Sequence, residues 1–254
     1  YNPSKGTYRH FFQDSSGQAH LGVVSDFAQT SDGTIWAATQ LNGLIEISPE
    51  THRIVAHNPK AGDDSSIVSS SIYRVLADAN DLLWIVSQEN GVGHYDPISD
   101  SSTNFKHIQG DTSSLTSNHV TTAFEDDRER IWIGTSEGLN LYLPKKASFQ
   151  RFTQANTEIP SDRVYSIYQS QEGTYWVGTF FGLASGSETL FRKINILNSQ
   201  LSNNSVNAIS ETDDGSIWIG TSDGLNRLQP DKQMFEWINE STYPSISSPV
   251  VMAL

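Results

Sequence analysis

One tryptophan-centred segment recurs five times in this chain of 254 residues, and this repeat constrains the fold more than any other feature. The five tryptophans stand 48, 48, 44 and 42 residues apart, and an aliphatic residue precedes each of them by twelve positions. The tryptophans are Trp36, Trp84, Trp132, Trp176 and Trp218, and the aliphatic residues are Val24, Ile72, Val120, Val164 and Val206. A unit of about 40 to 50 residues cannot bury its own apolar faces, so each unit must stack on its neighbours.

Within each unit, short apolar or aromatic alternations are separated by turns rich in Gly and Asp, a pattern typical of β-strands. The fifth unit shows four such runs: strand A over 206–209, strand B over 217–221, strand C over 225–228 and strand D over 235–238. A glycine stands at the turn before strand C in every unit: Gly43, Gly91, Gly138, Gly182 and Gly224. Four antiparallel strands per period predict the blades of an all-β propeller.

The repeat predicts five complete blades and a partial blade at each end. The blades are expected at residues 19–62, 67–110, 115–154, 159–196 and 201–240. Residues 8–12 resemble a strand D that has no preceding strands, and residues 246–254 resemble the start of a further blade. We therefore interpret residues 1–254 as one β-propeller fragment of a larger propeller.

Three further local expectations follow from the repeat. A proline follows strand C in four units, where the ladder is expected to stop: Pro49, Pro97, Pro144 and Pro230. The aromatic alternation at residues 105–108 predicts strand D of the second blade. Gly134, Gly178 and Gly220 lie on strand B and are expected to let a neighbouring blade approach closely.

Charge and cysteine content exclude several classes of function. The chain has 16 Lys and Arg against 29 Asp and Glu, a net charge of −13, and this acidity disfavours nucleic acid and anionic membranes as partners. It has no cysteine, so disulfides, thiolate metal sites and a cysteine nucleophile are excluded. Its acidic turns fit hairpins better than a calcium loop, and we expect neither a metal nor a cofactor.

No catalytic signature stands out, and we expect the chain not to be an enzyme. There is no G-x-S-x-G motif, and none of the seven histidines is paired at H-x-x-x-H spacing. Residues 213–218 resemble an Asp box, a structural turn motif of sialidase propellers. Because a glycosidase needs two positioned carboxyl groups, and no pair can be nominated from spacing, a carbohydrate-active enzyme stays only as an alternative.

The predicted ligand site lies at the start of strand A. If strand A lines the axis of a propeller, the residues beside its recurring aliphatic face a funnel shared by all blades. Their aromatic rings and hydrogen-bonding groups suit a sugar or an anion. The candidates are Tyr73, His119, Thr121, Arg163, Tyr165 and Asn207. The alternative is that these side chains fill the channel and satisfy backbone groups.

Two aromatic residues depart from the repeat. Phe180 and Phe181 occupy the B–C turn of the fourth unit, where the other units carry mainly polar residues. An exposed pair would indicate a contact patch, and burial under a neighbouring loop is the other interpretation.

Residues 213–228 follow the pattern D-x-G-x-[IL]-W-[IV]-G-T-x-x-G-[LI]-x-x-[FLY], which resembles the two-component regulator propeller repeat. The third and fifth units match it best. The first departs from it at Ala37 and Ala38, and the second at Val86, Ser87 and Val92. The resemblance covers five tandem copies, nearly the whole chain.

The resemblance implies a periplasmic sensor region of a bacterial inner-membrane receptor. It further implies a small ligand, an oligosaccharide in several members, homodimerisation, and an output domain of the histidine kinase or diguanylate cyclase class in the full-length protein. A protein-interaction or dimerisation scaffold without a small ligand is the main alternative.

Overall fold

The computed structural model describes residues 22–51, 53–187, 190–230, 235–238 and 250–254. These residues form five antiparallel sheets, each of four strands that are consecutive in sequence. The described part of the chain has no α-helix, and its one helical element is a three-residue 3-10 turn at Pro144–Lys146. The all-β fold of four-stranded blades is therefore confirmed, while the predicted strand at residues 8–12 lies outside the described residues.

We number the sheets as blades 1 to 5, and each falls within one of the residue ranges expected from the repeat. Blade 1 consists of β1 (Val24–Gln29), β2 (Ile35–Thr39), β3 (Leu44–Ile47) and β4 (Ile54–His57). Blade 2 consists of β5 (Arg74–Ala77), β6 (Leu83–Ser87), β7 (Gly91–Asp96) and β8 (Ser101–Phe105). Blade 3 consists of β9 (Val120–Glu125), β10 (Ile131–Thr135), β11 (Gly138–Leu143) and β12 (Ser148–Phe152).

Blade 4 consists of β13 (Val164–Gln169), β14 (Tyr175–Thr179), β15 (Gly182–Ser187) and β16 (Leu190–Ile194). Blade 5 consists of β17 (Val206–Glu211), β18 (Ile217–Thr221), β19 (Gly224–Leu228) and β20 (Glu236–Ile238). The chain divides into two compact structural units, which are larger than the repeat units of the sequence. The first holds blades 1 and 2 up to Asn104, apart from the short segment Glu89–Gly91, and the second holds that segment and the chain from Phe105 onward.

The glycine before or at the start of strand C is required by backbone geometry in every blade. All five of these glycines have positive φ, from 69° at Gly43 to 145° at Gly138. A Cβ atom at Gly182 would lie 2.5 Å from the carbonyl oxygen of Ile194, at the end of strand D of the same blade. Neither the left-handed conformation nor the close approach tolerates a larger residue, which explains why this glycine recurs.

A second set of glycines, on strand B, sets the spacing between neighbouring blades, as predicted. A Cβ atom at Gly134 would lie 2.9 Å from a methyl group of Val164, and one at Gly178 would lie 2.7 Å from a methyl group of Val206. Val164 and Val206 therefore rest on the bare strand B backbone of the preceding blade. Val251 takes the same place against Gly220, and its N–H donates to the Thr221 carbonyl.

Three of the recurring tryptophans pack between neighbouring sheets: Trp36, Trp132 and Trp176. Trp36 joins a cluster with Ile72 and Val75 of blade 2, and Trp132 joins one with Val164 and Tyr175 of blade 4. Burying an indole of roughly 200 Å² provides up to about 5 kcal/mol of transfer free energy.

Trp218 is half-buried.

Strand D of blade 2 differs from its prediction. The strand is β8, so Phe105 is its last residue rather than its first. Beyond it, the His107 N–H donates to the Asn118 side-chain oxygen at 2.7 Å and the Ile108 N–H donates to the Ser114 hydroxyl at 2.8 Å. These side-chain acceptors draw the backbone out of the ladder, so His107 is not on strand D.

Candidate functional site

The candidate site is built where strand A begins in blades 3 and 4. Val120 and Val164 are fully buried, so the residues on either side of each valine point away from the interface between the blades. The N–H of Ser136 donates to the His119 carbonyl at 3.0 Å, and the N–H of Phe180 donates to the Arg163 carbonyl at 3.0 Å. The B–C turn of each blade is thereby held beside the residue that precedes its strand A.

Four of the six predicted ligand-binding residues line one cavity. The cavity has a volume of about 400 Å³ and is lined by His119, Thr121, Ser136, Arg163 and Tyr165. Its volume lies within the range of small-molecule sites. Ser136 was missed from the sequence, although its position as the first residue after strand B of blade 3 would have indicated it.

The other two predicted residues are placed elsewhere. Tyr73 belongs to the first unit, where the Arg74 guanidinium carbon lies 5.7 Å from its ring centroid. Asn207 belongs to blade 5, and its amide donates to the Val251 carbonyl at 3.1 Å. A role of either residue in binding remains a prediction.

Thr121 has a structural role whether or not it also contacts a ligand. Its hydroxyl donates to the carbonyl of Val164 at 2.7 Å, which links strand A of blade 3 to strand A of blade 4. Ser25, at the equivalent position of blade 1, donates in the same way to the Ile72 carbonyl at 2.7 Å. Together with Asn207, these residues fit the alternative in which side chains beside the aliphatic satisfy backbone groups.

His119, Arg163 and Tyr165 do not follow that pattern. In the described portions of the chain, none of their three side chains forms a hydrogen bond or an ion pair. Elsewhere in the same unit, Arg130 pairs with Asp126 at 2.9 Å and Arg227 pairs with Asp214 at 2.7 Å. The cavity therefore gathers polar groups that the fold itself does not use.

Phe180 and Phe181 extend the lining with an aromatic surface. Phe180 is 37% exposed and Phe181 is 57% exposed, so the interpretation of an exposed pair holds rather than burial under a loop. The Phe180 ring lies 6.4 Å from the Tyr165 ring at 81°, and the Arg163 guanidinium carbon lies 5.3 Å from the Phe180 centroid. The cation–π contact holds Arg163 beside the cavity while leaving its N–H donors free.

A second charged cluster lies at the other end of strand β9 and is fully paired. The Asp126 carboxylate accepts hydrogen bonds from the Trp132 indole at 2.8 Å, the Tyr175 hydroxyl at 2.8 Å and the Arg130 side chain at 2.9 Å. Burial raises the pKa of Asp126, but the hydrogen bonds from Trp132, Tyr175 and backbone N–H groups outweigh burial, and the net pKa is lowered. Burial and the bond to Asp126 raise the pKa of Tyr175 to about 12.

Neither a metal cluster nor a membrane-spanning helix is found in the described ranges. No three His, Asp or Glu side chains converge there as metal ligands. No helix of those ranges is long and apolar enough to cross a bilayer.

Three segments of the sequence match a family model described as two component regulator propeller. The matched residues are 114–137, 158–181 and 200–223, which begin blades 3, 4 and 5 and run through their strands A and B into the B–C turn. His119, Thr121, Ser136, Arg163 and Tyr165 all lie within the first two segments. No curated protein matched the sequence.

Solved structures share the fold at low sequence identity. The extracellular domain assigned to a hybrid two component system from B. thetaiotaomicron matches with a TM-score of 0.74 and 22% identity, over 85% of this chain and 30% of that chain. PorZ, a bacterial surface component of the type-IX secretion system of Porphyromonas gingivalis, matches with a TM-score of 0.65 and 18% identity, over 84% of this chain and 32% of that chain. The chain thus spans about a third of the length of these structures.

A virginiamycin B lyase from Staphylococcus aureus also shares the fold, with a TM-score of 0.63 and 11% identity, over 86% of this chain and 71% of that chain. Extracellular domains of two component systems and a lyase are therefore both found among the structural neighbours, and the fold by itself does not show whether this chain is an enzyme.

Proposed function

Since blades 3 to 5 of this chain are repeats of the two component regulator propeller family, we propose that it is a non-catalytic, extracytoplasmic sensor segment that binds a small ligand. In this proposal the ligand occupies the cavity between His119 and Arg163. Binding is passed to an output domain of the histidine kinase or diguanylate cyclase class elsewhere in the full-length protein. The similarity to extracellular domains of two component systems supports the location of the segment.

The observation that carries the proposal is the convergence of unused polar groups on one cavity. Arg163, His119 and Tyr165 come from two blades, and their side chains have no hydrogen-bond or ion-pair partners among the described residues. His119 and Arg163 are exposed and Tyr165 is half-buried, so a ligand in the cavity can reach their polar groups without breaking a bond of the fold.

Isothermal titration of the chain against a panel of neutral and acidic mono- and disaccharides and short peptides tests the proposal. We expect saturable binding of at least one member, and we expect Arg163→Ala and Tyr165→Ala each to weaken it. The matched control is Arg128→Ala, because Arg128 is an exposed arginine in the A–B turn of blade 3, outside the cavity. No saturable binding across the panel, or equal affinity in all variants, would overturn the proposal.

Two other functions can be tested on the same purified protein. A dimerisation scaffold would show a concentration-dependent dimer in sedimentation together with no ligand from the panel. A carbohydrate-active enzyme would release chromophore from chromogenic glycosides, and we expect no turnover.

A further inference from the structure

The ligand class can be narrowed from the charges that surround the cavity. The chain carries a net charge of −13, so its overall field repels anions. Against that background, Arg163 and His119 both line the same cavity of about 400 Å³. The cavity thus joins the guanidinium of Arg163, which is always charged, with an imidazole whose N–H can donate a hydrogen bond, and both groups suit a negative group of a ligand.

The acidic residue adjacent in sequence, Asp162, does not supply a negative group to Arg163. Asp162 directly precedes Arg163, but its carboxylate accepts the Gln154 N–H at 2.7 Å. Within the described ranges, no ion pair joins Arg163 to any carboxylate within 4.0 Å, although Arg130 and Arg227 of the same unit both form such pairs. The guanidinium of Arg163 therefore keeps its planar fork of donors for a ligand.

The remaining lining suits the body of a sugar. Ser136 and Thr121 supply hydroxyl groups, and Thr121 still has acceptor capacity because its proton is directed to the Val164 carbonyl. Tyr165 and Phe180 form an edge-to-face pair at 6.4 Å that offers an apolar surface beside Arg163. Hydroxyl groups and an aromatic face together match the polar edge and apolar face of a pyranose ring.

We propose that this cavity binds a carboxylated sugar, with the carboxylate on Arg163 and His119 and the ring against Tyr165 and Phe180. This inference rests on the proposed function and narrows its ligand class. A guanidinium donates two parallel hydrogen bonds to a carboxylate, and such charge-assisted pairs are about twice as strong as neutral ones. The cation–π contact at 5.3 Å orients Arg163 for that interaction in advance.

The experiment compares matched sugars that differ in one group. Titrations with glucuronic acid and glucose, with galacturonic acid and galactose, and with the disaccharides that contain them separate the carboxylate from the ring. We expect the acidic member of at least one pair to bind about tenfold or more tightly than the neutral member.

The variants separate charge from stacking. Arg163→Gln is expected to remove the preference for the acidic sugar, and Arg163→Lys to restore only part of it, because lysine keeps the charge and loses the fork. Tyr165→Ala is expected to weaken acidic and neutral sugars by the same factor, because the cation–π contact that orients Arg163 is with Phe180 and is kept in this variant.

The outcomes distinguish this inference from the proposed function. If a ligand binds the cavity but the neutral sugar binds as well as the acidic one, the carboxylate assignment is wrong and the sensor proposal stands. Equal binding of a sugar phosphate would also overturn the carboxylate assignment. If nothing in the panel binds, both proposals fail.

Discussion

The two ends of strand β9 differ in how their polar side chains are paired. After the strand ends, Asp126 is enclosed by donors from Arg130, Trp132 and Tyr175, and its side chain has no exposed surface. Before the strand begins, His119 and Arg163 are both exposed and line one cavity, and neither side chain has a hydrogen-bond or ion-pair partner among the described residues. A polar group that is paired inside the fold stabilises it, whereas one that the fold leaves unpaired is available to a ligand.

The largest effect is expected at the paired end. In Asp126→Asn one carboxylate oxygen becomes an N–H₂ group, which then faces either the side-chain donors that bind Oδ2 or the backbone N–H groups of Arg128 and Arg130 that bind Oδ1, so at least one buried donor loses its acceptor. We expect the free energy of unfolding to fall by about 3 kcal/mol, measured by urea denaturation at pH 7.

Asp127→Asn is the matched control, because Asp127 is the next residue and its side chain is 59% exposed; a change under about 0.5 kcal/mol is expected. The pKa of Asp126 is lowered from 3.8 in the folded protein, so its contribution is present above that value and is lost as the pH falls through the folded pKa. The difference between wild type and Asp126→Asn should therefore shrink in acid. A difference that stays constant from pH 7 into the acid range would contradict a charged Asp126.

The repeat allowed strand B of each blade, and the packing of neighbouring blades, to be predicted from the sequence. The tryptophan spacing predicted strand B in every blade, and the predicted close approach at Gly134, Gly178 and Gly220 is confirmed. These features follow from local sequence, because a bare glycine and a large indole leave few ways for two sheets to pack. Strand D of blade 2 was placed too late in the sequence, because hydrogen bonds from Asn118 and Ser114 end the ladder and their positions depend on tertiary structure.

The site was harder to predict for a related reason. The repeat marks the residues beside each aliphatic, but it cannot show which of their side chains bond a carbonyl of the next blade. Thr121 and Asn207 do so, whereas Arg163 and Tyr165 do not. Hydrogen-bond partners between blades come from residues more than 40 positions away, so only coordinates separate the structural residues from the candidate binding residues.

Thr121 combines a structural role with a place in the candidate binding site, because it lines the cavity and also links two blades. Replacing it by the isosteric valine leaves the buried Val164 carbonyl without its donor, and we expect a loss of about 1 kcal/mol in the free energy of unfolding. The next residue supplies the control, since the Thr122 hydroxyl has no hydrogen bond in the described ranges and Thr122→Val should cost less than about 0.5 kcal/mol. Equal losses in the two variants would show that the hydroxyl of Thr121 does not contribute through this bond.

The smallest effect on stability is expected at Arg163. Among the described residues, its side chain has no hydrogen bond or ion pair, and it has a cation–π contact with Phe180 at 5.3 Å. A cation–π contact at an exposed site is worth about 0.5 kcal/mol. Arg163→Gln should therefore leave the urea midpoint almost unchanged. Arg151 provides the contrast, because its guanidinium donates to the carbonyls of Asp111, Ser114 and Leu115, and Arg151→Gln should lower the midpoint clearly. If Arg163→Gln destabilises the chain as much as Arg151→Gln does, Arg163 is held by the fold after all, and the distinction between the paired and the free ends of β9 is lost.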